Sequence, residues 1–465
     1  MNSFTKNKAF WLFAAFVIWI SSTGETIAQT TKSKPLLQDI PIVQQPNNVK
    51  PNPIGTPLVT KTGSSNMVGR KTSIPALMDV AIPGMTGILV ESQEGNVVLE
   101  SNSDMALNPA SNVKILTASA VVKTFGPDYR FPTSVWTDGQ IDRASGTLYG
   151  NLYVSGRDPV FNLEHGVALA NELNRQGIRA ISGDLIVTDN FVMNYSANAM
   201  KAAATLQASM DAGKRNVAAS KAWQSFLMNS GKMGQVTMIP SVSFTGGIYV
   251  QSIPTNAKLL FSHESAPMRE IVKATLCYSN NYLAERLGDM LGGPYAVARF
   301  NQLNAGVSPA ELYIASSSGL GVNRVTPRAM MKVLRALQKD LAKFKMNFTD
   351  IMPVAGMDQG TLENRFDDAF DRGSVVGKTG TLGNTDGGAS ALAGEANTRK
   401  GKVLFVIFNQ RGSVPRFRSF QNSLVSLIQS QLGGALPMPY SPIALDVRMA
   451  NTRITYPDVR ARVSE

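Results

Sequence analysis

Histidine and cysteine are nearly absent from this chain of 465 residues, which contains two histidines and one cysteine. A single thiol cannot form a disulfide within the chain, so a disulfide-stabilised scaffold is excluded. With so few imidazole and thiolate side chains, a protein-bound zinc centre is not expected, and we predict neither a metal nor a cofactor. The chemistry must therefore come from Ser, Lys, Asn, Asp or Glu.

Charged residues are also scarce, at 17%, whereas apolar residues make up 43% of the chain. This balance excludes a largely disordered or collagen-like protein and supplies a large core, and the length suggests two to three domains. Lys and Arg outnumber Asp and Glu by 45 to 33, a net charge of +12. That excess suits an anionic surface or polymer, but it does not single out nucleic acid, and we predict no nucleic-acid partner.

The amino terminus has the pattern of an export signal. Lys6 and Lys8 precede the apolar run 9–20, and residues 26–28 (TIA) fit the small-x-small pattern of a cleavage site. The run is too short to favour a membrane span, and no later segment offers about 18 consecutive apolar residues. We predict a signal peptide over residues 1–28, with an uncleaved anchor as the alternative. The mature protein is then exported, periplasmic or extracytoplasmic, without a stable membrane span.

Two segments carry little structural signal. Residues 29–72 are rich in Pro, Thr, Ser, Asn and Gln without a hydrophobic period, which predicts a flexible linker. Residues 436–465 form a tail that contains several prolines and four arginines. The tail is compatible with a surface position or with contact to an anionic polymer.

The first chemical motif follows a predicted hairpin of strands 85–92 and 97–101. Ser111 and Lys114 lie three residues apart at the start of a predicted helix over 111–124, which puts both on one helix face. A serine hydroxyl is a poor nucleophile unless a neighbouring base takes its proton, and a lysine whose pKa is lowered by burial and nearby cations can do so. The motif alone is weak, since such pairs are common at helix starts.

A second motif, S-x-N, comprises Ser279 and Asn281 at the start of a predicted amphipathic helix over 279–291. The serine hydroxyl can relay a proton, and the asparagine amide can hold a substrate carbonyl.

A third motif, K-T-G, comprises Lys378, Thr379 and Gly380, with Thr381 directly after it. On an edge strand it would place an ammonium and a hydroxyl beside a carboxylate-bearing substrate, and Gly380 would let that substrate approach the backbone closely. Each motif also matches elsewhere in the chain, but order and spacing favour this set.

This trio resembles the motifs of the penicilloyl serine transferases, which are the penicillin-binding proteins and serine β-lactamases. Over about residues 73–435, the chain resembles the class C penicillin-binding proteins, the D-alanyl-D-alanine carboxypeptidase/endopeptidase family. The further segments that carry this resemblance are GRDP at 156–159, ISGDLIVTD at 181–189, SGL at 318–320 and MPVAG at 352–356.

The chain departs from this family in two places. Ser316 and Ser317 replace the usual Asp-Gly before Ser-Gly-Leu, and the stretch 320–327 is one residue short. In the family that loop flanks the active site. The departures therefore make the leaving-group specificity less certain than the acylation chemistry. Residues 195–235, predicted to be helical, match no family segment.

The elements and the resemblance together predict an α+β protein with the penicilloyl-serine-transferase (DD-peptidase/β-lactamase-like) fold. One antiparallel sheet is covered by helices over 111–124, 279–291 and 417–432; its strands are 85–92, 97–101, 387–396, 402–409 and the K-T-G strand. We predict this DD-peptidase domain over 73–129 and 255–435. An inserted α+β domain fills 130–254.

The resemblance implies a serine-type D-alanyl-D-alanine carboxypeptidase or endopeptidase that acts on peptidoglycan stem peptides, with β-lactam antibiotics as covalent inhibitors. Ser111 would attack the peptide carbonyl, and Lys114 would accept the hydroxyl proton. Ser279 would pass a proton to the leaving amine, helped by the electric field of Lys378.

Substrate binding is predicted for the remaining motif residues. Asn281 and Thr379 would orient the peptide, and Thr381 would hold its terminal carboxylate. Backbone N–H groups of Ser111 and Thr381 would form the oxyanion hole. Three alternatives stay open: a serine β-lactamase, an esterase on the same fold, and a catalytically silent peptidoglycan-binding module. Cys277, His165 and His263 are interpreted as structural residues.

Overall fold

The computed structural model describes residues 69–236 and 238–457. The predicted signal peptide, most of the predicted linker and the last part of the predicted tail lie outside the described residues. Within the described ranges, no helix has both the length and the apolar character that crossing a membrane requires.

Eleven helices are found in the described residues. They are α1 (Pro75–Met78), α2 (Val113–Phe125), α3 (Leu163–Arg175), α4 (Ala199–Met210), α5 (Val217–Asn229), α6 (Met268–Tyr278), α7 (Asn281–Asp289), α8 (Gly293–Ala305), α9 (Pro327–Lys343), α10 (Val414–Gln431) and α11 (Leu445–Met449).

The strands of the same ranges form four sheets. They are β1 (Met85–Ser92), β2 (Val97–Ser101), β3 (Pro132–Thr137), β4 (Gln140–Asp142), β5 (Thr147–Tyr149), β6 (Leu152–Gly156), β7 (Ala180–Ile181), β8 (Leu185–Val187), β9 (Ser243–Phe244), β10 (Ile248–Val250), β11 (Lys258–Glu264), β12 (Leu312–Tyr313), β13 (Arg324–Val325), β14 (Val375–Leu382), β15 (Ala389–Thr398), β16 (Gly401–Gln410) and β17 (Arg453–Thr455).

The central sheet is antiparallel, in the order β14-β15-β16-β1-β2. Side chains alternate between its faces, so Phe405 and Ile407 of β16 pack in a core with α10, whereas Val406 and Phe408 pack in a core with α2 and α9. Burial of each such side chain contributes about 1.5–3 kcal/mol. Helices thus cover both faces, as the α+β prediction requires, and β14 lies at an edge.

The predicted elements agree with these bounds to within a few residues. The hairpin of β1 and β2 is confirmed, and α2 begins two residues later than predicted because a 3-10 turn, Ala110–Asn112, precedes it. Helix α10 begins three residues earlier than predicted, since Pro415 is tolerated in the first turn, where no backbone donor is needed.

A second group of elements follows α2. It comprises a six-stranded sheet, β10-β8-β6-β3-β11-β17, a four-stranded sheet, and α3 to α5. Helices α4 and α5 confirm the helical prediction for residues 195–235, and Asn198 and Asn216 cap them by accepting backbone N–H bonds. Strand β17, from the predicted tail, pairs with β11. The domain boundaries themselves stay a prediction.

Candidate active site

The turn that carries Ser111 has an unusual backbone. Ala110 has a φ of 47°, the left-handed region, which costs a non-glycine residue about 1–2 kcal/mol. Gly319 lies against this turn, because a Cβ there would be 2.0 Å from the Ala110 carbonyl oxygen. Packing with neighbouring segments therefore holds Ser111 in a conformation that its own sequence does not favour.

Lys114 lies one turn along α2 and is almost completely buried, with 1% of its surface exposed. Its Nζ is 3.0 Å from Ser111 Oγ, 2.6 Å from Asn281 Oδ1 and 2.8 Å from the Ser318 carbonyl oxygen. The structure thus brings together Ser111, Lys114 and Asn281, from two of the three predicted motifs.

The S-x-N motif lies at the break between α6 and α7 rather than inside one helix. Ser279 ends α6 in the left-handed region, with a φ of 57°. The Asn280 side chain then caps α7 by accepting the Leu283 N–H at 3.0 Å. This change of direction lets both Ser279 and Asn281 line one cavity with Ser111.

The K-T-G strand is β14, at the predicted edge of the central sheet. Asn112, oriented so that its amide nitrogen faces the strand, donates to the carbonyl oxygens of Lys378 at 2.8 Å and Thr379 at 3.2 Å. These bonds fix the Ser111 turn against β14. Thr379 and Thr381 line the same cavity as Ser111.

Gly380 lies against the turn that precedes Ser111. A Cβ on Gly380 would lie 2.5 Å from the Pro109 carbonyl oxygen and 3.1 Å from the Ala110 Cβ. The missing side chain therefore makes room for the turn before Ser111. Gly380 is not among the residues that line the cavity, and close approach of a substrate to its backbone stays a prediction.

Lys378 is completely buried and is also outside the set of cavity-lining residues. Its Nζ donates to the Thr379 carbonyl oxygen at 2.9 Å. The predicted role of Lys378 beside the substrate, through its electric field, stays a prediction.

The cavity has a volume of about 650 Å³. The residues that line it include two arginines and no acidic side chain; they are Ser111, Tyr278, Ser279, Asn281, Leu320, Gly360, Thr361, Asn364, Arg365, Thr379, Thr381, Arg418, Ser419 and Asn422. The two arginines make one end of the cavity cationic.

Sequence reasoning missed both arginines. Arg418, on α10, donates from Nη2 to Thr381 Oγ1 at 2.9 Å. Arg365 donates to the side-chain oxygens of Asn422 and Gln421, also on α10. Burial and the charge of Arg418 lower the pKa of Arg365 to about 10. No local pattern predicts the contact of Arg365 with Asn422, because the two residues are 57 positions apart in the sequence.

The Ser-Gly-Leu loop is held by Glu285, which sequence reasoning also missed. Its carboxylate accepts the backbone N–H groups of Ser317 at 3.1 Å and Ser318 at 3.0 Å. The Ser317 side chain, which replaces a family glycine, fits because Gly288 has none: a Cβ there would be 2.0 Å from Ser317 Oγ. Glu285 therefore orients the Ser318 carbonyl that contacts Lys114.

Cys277, His165 and His263 lie outside the cavity. Burial raises the pKa of the Cys277 thiol to about 12, which excludes a thiolate at neutral pH. His165 and His263 are both buried, with ring centroids 4.8 Å apart, and burial lowers the pKa of His165 to about 3. Their interpretation as structural residues agrees with this geometry.

Comparison with protein families gives a match over most of the chain. The sequence model of the D-Ala-D-Ala carboxypeptidase 3 (S13) family matches residues 75–209 and 235–452. Between the two matched ranges lie residues 210–234, which include α5.

Two similar proteins are curated carboxypeptidases. The D-alanyl-D-alanine carboxypeptidase of Actinomadura sp. (strain R39) is 24% identical, and the alignment covers 82% of this chain and 88% of the relative. The carboxypeptidase DacB of Mycolicibacterium smegmatis is 23% identical, with 82% and 87% covered.

Solved structures show the same fold. A predatory endopeptidase of Bdellovibrio bacteriovorus, Bd3459, in its penicillin G-acylated form, aligns with a TM-score of 0.67 at 22% identity, covering 80% of this chain and all of that one. Penicillin-binding protein 4 of Haemophilus influenzae aligns with a TM-score of 0.55 at 21% identity, covering 74% and 97%. The predicted fold class is confirmed.

Proposed function

The chain belongs to the D-Ala-D-Ala carboxypeptidase 3 (S13) family, and we propose that it cleaves D-Ala-D-Ala type bonds of peptidoglycan stem peptides through an ester on Ser111. The chain is a serine D-Ala-D-Ala peptidase. What we propose is which residues perform the reaction and what each of them does. The observation that carries it is the 3.0 Å contact between Ser111 Oγ and Lys114 Nζ at the wall of a large cavity.

Lys114 is the base of the acylation step. The two N–H groups of a neutral Lys114 amine can donate to Asn281 Oδ1 and to the Ser318 carbonyl oxygen. The lone pair of the nitrogen then faces Ser111. Burial disfavours the charged form of an amine, which supports this role. Lys114 takes the hydroxyl proton, Ser111 Oγ bonds to the carbonyl carbon, and the bond from that carbon to the leaving nitrogen breaks.

Ser279 passes the proton from Lys114 to the leaving amine, since its hydroxyl lines the same cavity. Lys378, one residue before Thr379 on β14, contributes through its field rather than by contact. In deacylation, water adds to the ester carbonyl and gives a proton to Lys114, and Ser111 Oγ leaves with a proton. The free serine is thereby restored.

Asn281 and Thr379 orient the substrate peptide, and Thr381 binds the carboxylate of the leaving residue. Backbone N–H groups of Ser111 and Thr381 stabilise the oxyanion. Each such donor contributes about 2.7–4 kcal/mol in comparable enzymes.

β-Lactams would acylate the same serine, as penicillin G acylates the similar Bdellovibrio endopeptidase. The amino-terminal sequence supports export, with residues 1–28 as a signal peptide, so the substrate is met in the periplasm or outside the cytoplasmic membrane.

The direct test uses purified peptidoglycan, with products identified by mass spectrometry, and labelled penicillin. The wild type is expected to release D-alanine or separate stems, and Ser111→Ala to lose both this activity and the penicillin adduct. Ser119→Ala, on the same helix, is the matched control and should keep both. A stable adduct on Ser111→Ala would contradict the assignment of the nucleophile.

The same preparations separate the other candidate functions. Turnover of nitrocefin without release from muropeptides would indicate a β-lactamase. Cleavage of p-nitrophenyl esters alone would indicate an esterase. Saccharide binding that survives Ser111→Ala, with no peptide release by the wild type, would indicate a silent binding module.

A further inference from the structure

The cationic end of the active-site cavity begins where β14 ends. Thr381, Arg365 and Arg418 all line the cavity. None of the lining residues is acidic, so an anionic group that enters meets no repelling side chain at the wall.

Arg418 is exposed and reaches Thr381 with one nitrogen, Nη2, at 2.9 Å. Because Thr381 Oγ1 accepts this bond, its own hydrogen can be donated elsewhere. A carboxylate that accepts the Thr381 hydroxyl hydrogen therefore lies beside the guanidinium of Arg418. That geometry suits the carboxylate next to the scissile bond, the group assigned above to Thr381.

Arg365 is held by the neutral side chains of Asn422 and Gln421. Its Nε is 2.8 Å and its Nη2 2.6 Å from Asn422 Oδ1, whereas Nη1 makes no hydrogen bond within the described residues. No acidic side chain of residues 69–236 or 238–457 pairs with Arg365 or Arg418. Arg324, in contrast, pairs with Asp386 at 2.8 Å.

Two guanidinium groups at one cavity repel each other, and this repulsion contributes to the lowered pKa of Arg365. A bound anion would offset the repulsion between the two guanidinium groups. The volume of about 650 Å³ lies within the range of about 300–1,000 Å³ that houses drug-sized ligands, so D-alanine alone fills a small part of it.

We infer that Arg418 and Arg365 form a leaving-group site with two separate carboxylate positions. Arg418, with Thr381, binds the carboxylate adjacent to the scissile bond, which D-alanine and larger leaving groups share. Arg365 binds a second carboxylate, which only a larger leaving group carries, such as the second stem peptide of a cross-link. The inference rests on the proposed function and makes cross-linked stems the preferred substrate class of the same site.

The test compares two substrates on the purified full chain: a monomeric stem that ends in D-Ala-D-Ala, and a cross-linked dimer. Arg418→Gln is expected to lower kcat/KM for both substrates by about ten- to a hundred-fold, the loss of a hydrogen bond to a charged group. Arg365→Gln is expected to lower kcat/KM for the dimer by about tenfold and to leave the monomer within about twofold.

Arg416→Gln is the matched control, because Arg416 is exposed on the same helix and does not line the cavity. It should leave both rates unchanged. Equal losses on both substrates for Arg365→Gln, or no loss for either arginine variant, would overturn the inference.

A second measurement needs no variant and covers the case in which Arg365→Gln fails to fold. The substrate is a cross-linked dimer in which the second carboxylate of the leaving stem, the one assigned to Arg365, is converted to an amide. We expect kcat/KM of the wild type for this dimer to be about tenfold lower than for the unmodified dimer. An unchanged rate would overturn the role of Arg365. Failure of the proposed function is distinct: the wild type would then cleave neither substrate and would form no penicillin adduct.

Discussion

Lys273 Nζ lies 2.7 Å from Asp358 Oδ2, in an ion pair whose two side chains are 0% and 2% exposed. Lys273 also donates to the carbonyl oxygens of Thr349 and Met352, and the Tyr440 hydroxyl donates to Asp358 Oδ1 at 2.6 Å. Each charge is thus fully paired inside the protein. The pair fixes α6, whose end carries Ser279, against the segment before β14.

Breaking this ion pair should destabilise the protein strongly. Asp358→Ala leaves a buried ammonium without its counter-ion, and we expect a loss of about 3–5 kcal/mol in the free energy of unfolding. Denaturant unfolding, followed by circular dichroism, measures it. Asp128→Ala is the control, because it removes an exposed partner of Arg269 and should cost less than about 1 kcal/mol. Similar losses for both variants would contradict this prediction.

Gly380→Ala should damage the site through the backbone. The new methyl group would lie 2.5 Å from the Pro109 carbonyl oxygen, so either the Ser111 turn or β14 must move. We expect acylation by labelled penicillin to slow by at least about tenfold, since small misplacements of a nucleophile are costly. Gly383→Ala is the control, because a Cβ there meets nothing within 4 Å. Normal acylation by Gly380→Ala would show that the turn tolerates this methyl group.

Glu285 is expected to be a positioning residue. Glu285→Ala releases the backbone N–H groups of Ser317 and Ser318, so the Ser318 carbonyl no longer holds Lys114 in place. We expect kcat to fall about tenfold while KM changes little, because substrate does not touch Glu285.

Glu285→Gln keeps one acceptor oxygen and should recover part of this rate. A purely structural role would instead show a loss of thermal stability that matches the loss of activity and no recovery by glutamine.

Glu164 should make stability depend on pH. Burial raises its pKa from an ordinary value of 4.5 to about 7. Between these values the folded state binds the proton more tightly than the unfolded state, so this group makes the protein less stable as the pH rises through that window. The contribution is about 1.4 kcal/mol per pH unit.

Other groups titrate in the same pH range, so the contribution of Glu164 is obtained as the difference between the wild type and Glu164→Gln. Denaturant unfolding at pH 5 and pH 7 should show that the variant loses less stability than the wild type over this interval. Glu363→Gln, an exposed change, should follow the wild type. A variant with the wild-type slope would exclude Glu164 as the source.

The sequence was sufficient where chemistry and structure are local. Ser111 and Lys114 are three residues apart at the start of a helix, and a contact between them is expected from that spacing. The short apolar runs of β1 and β16 are similarly local, so their bounds were predicted to within about one residue. The order and spacing of the three motifs along the chain selected the candidate residues, although the sequence gives no distances between them in space.

The remaining features depend on contacts between segments that are distant in sequence. Burial of Lys378 depends on what packs behind β14, and the contact of Arg365 with Asn422 depends on how α10 packs against the segment before β14. Glu285 acts on backbone N–H groups, which leave no pattern in the sequence. Strand β17 has three residues, too few for a periodic signal.

The pairing of β17 with β11 has a consequence for the handling of this protein. β17 is the edge strand beside β11. Proteolytic cleavage between α11 and residue 453 would separate β17 from the chain and leave β11 at the edge of the sheet. The bared N–H and C=O groups of β11 would then offer a template for another chain. β17 therefore protects the edge of β11 from aggregation, and fragments that lack β17 are expected to precipitate first.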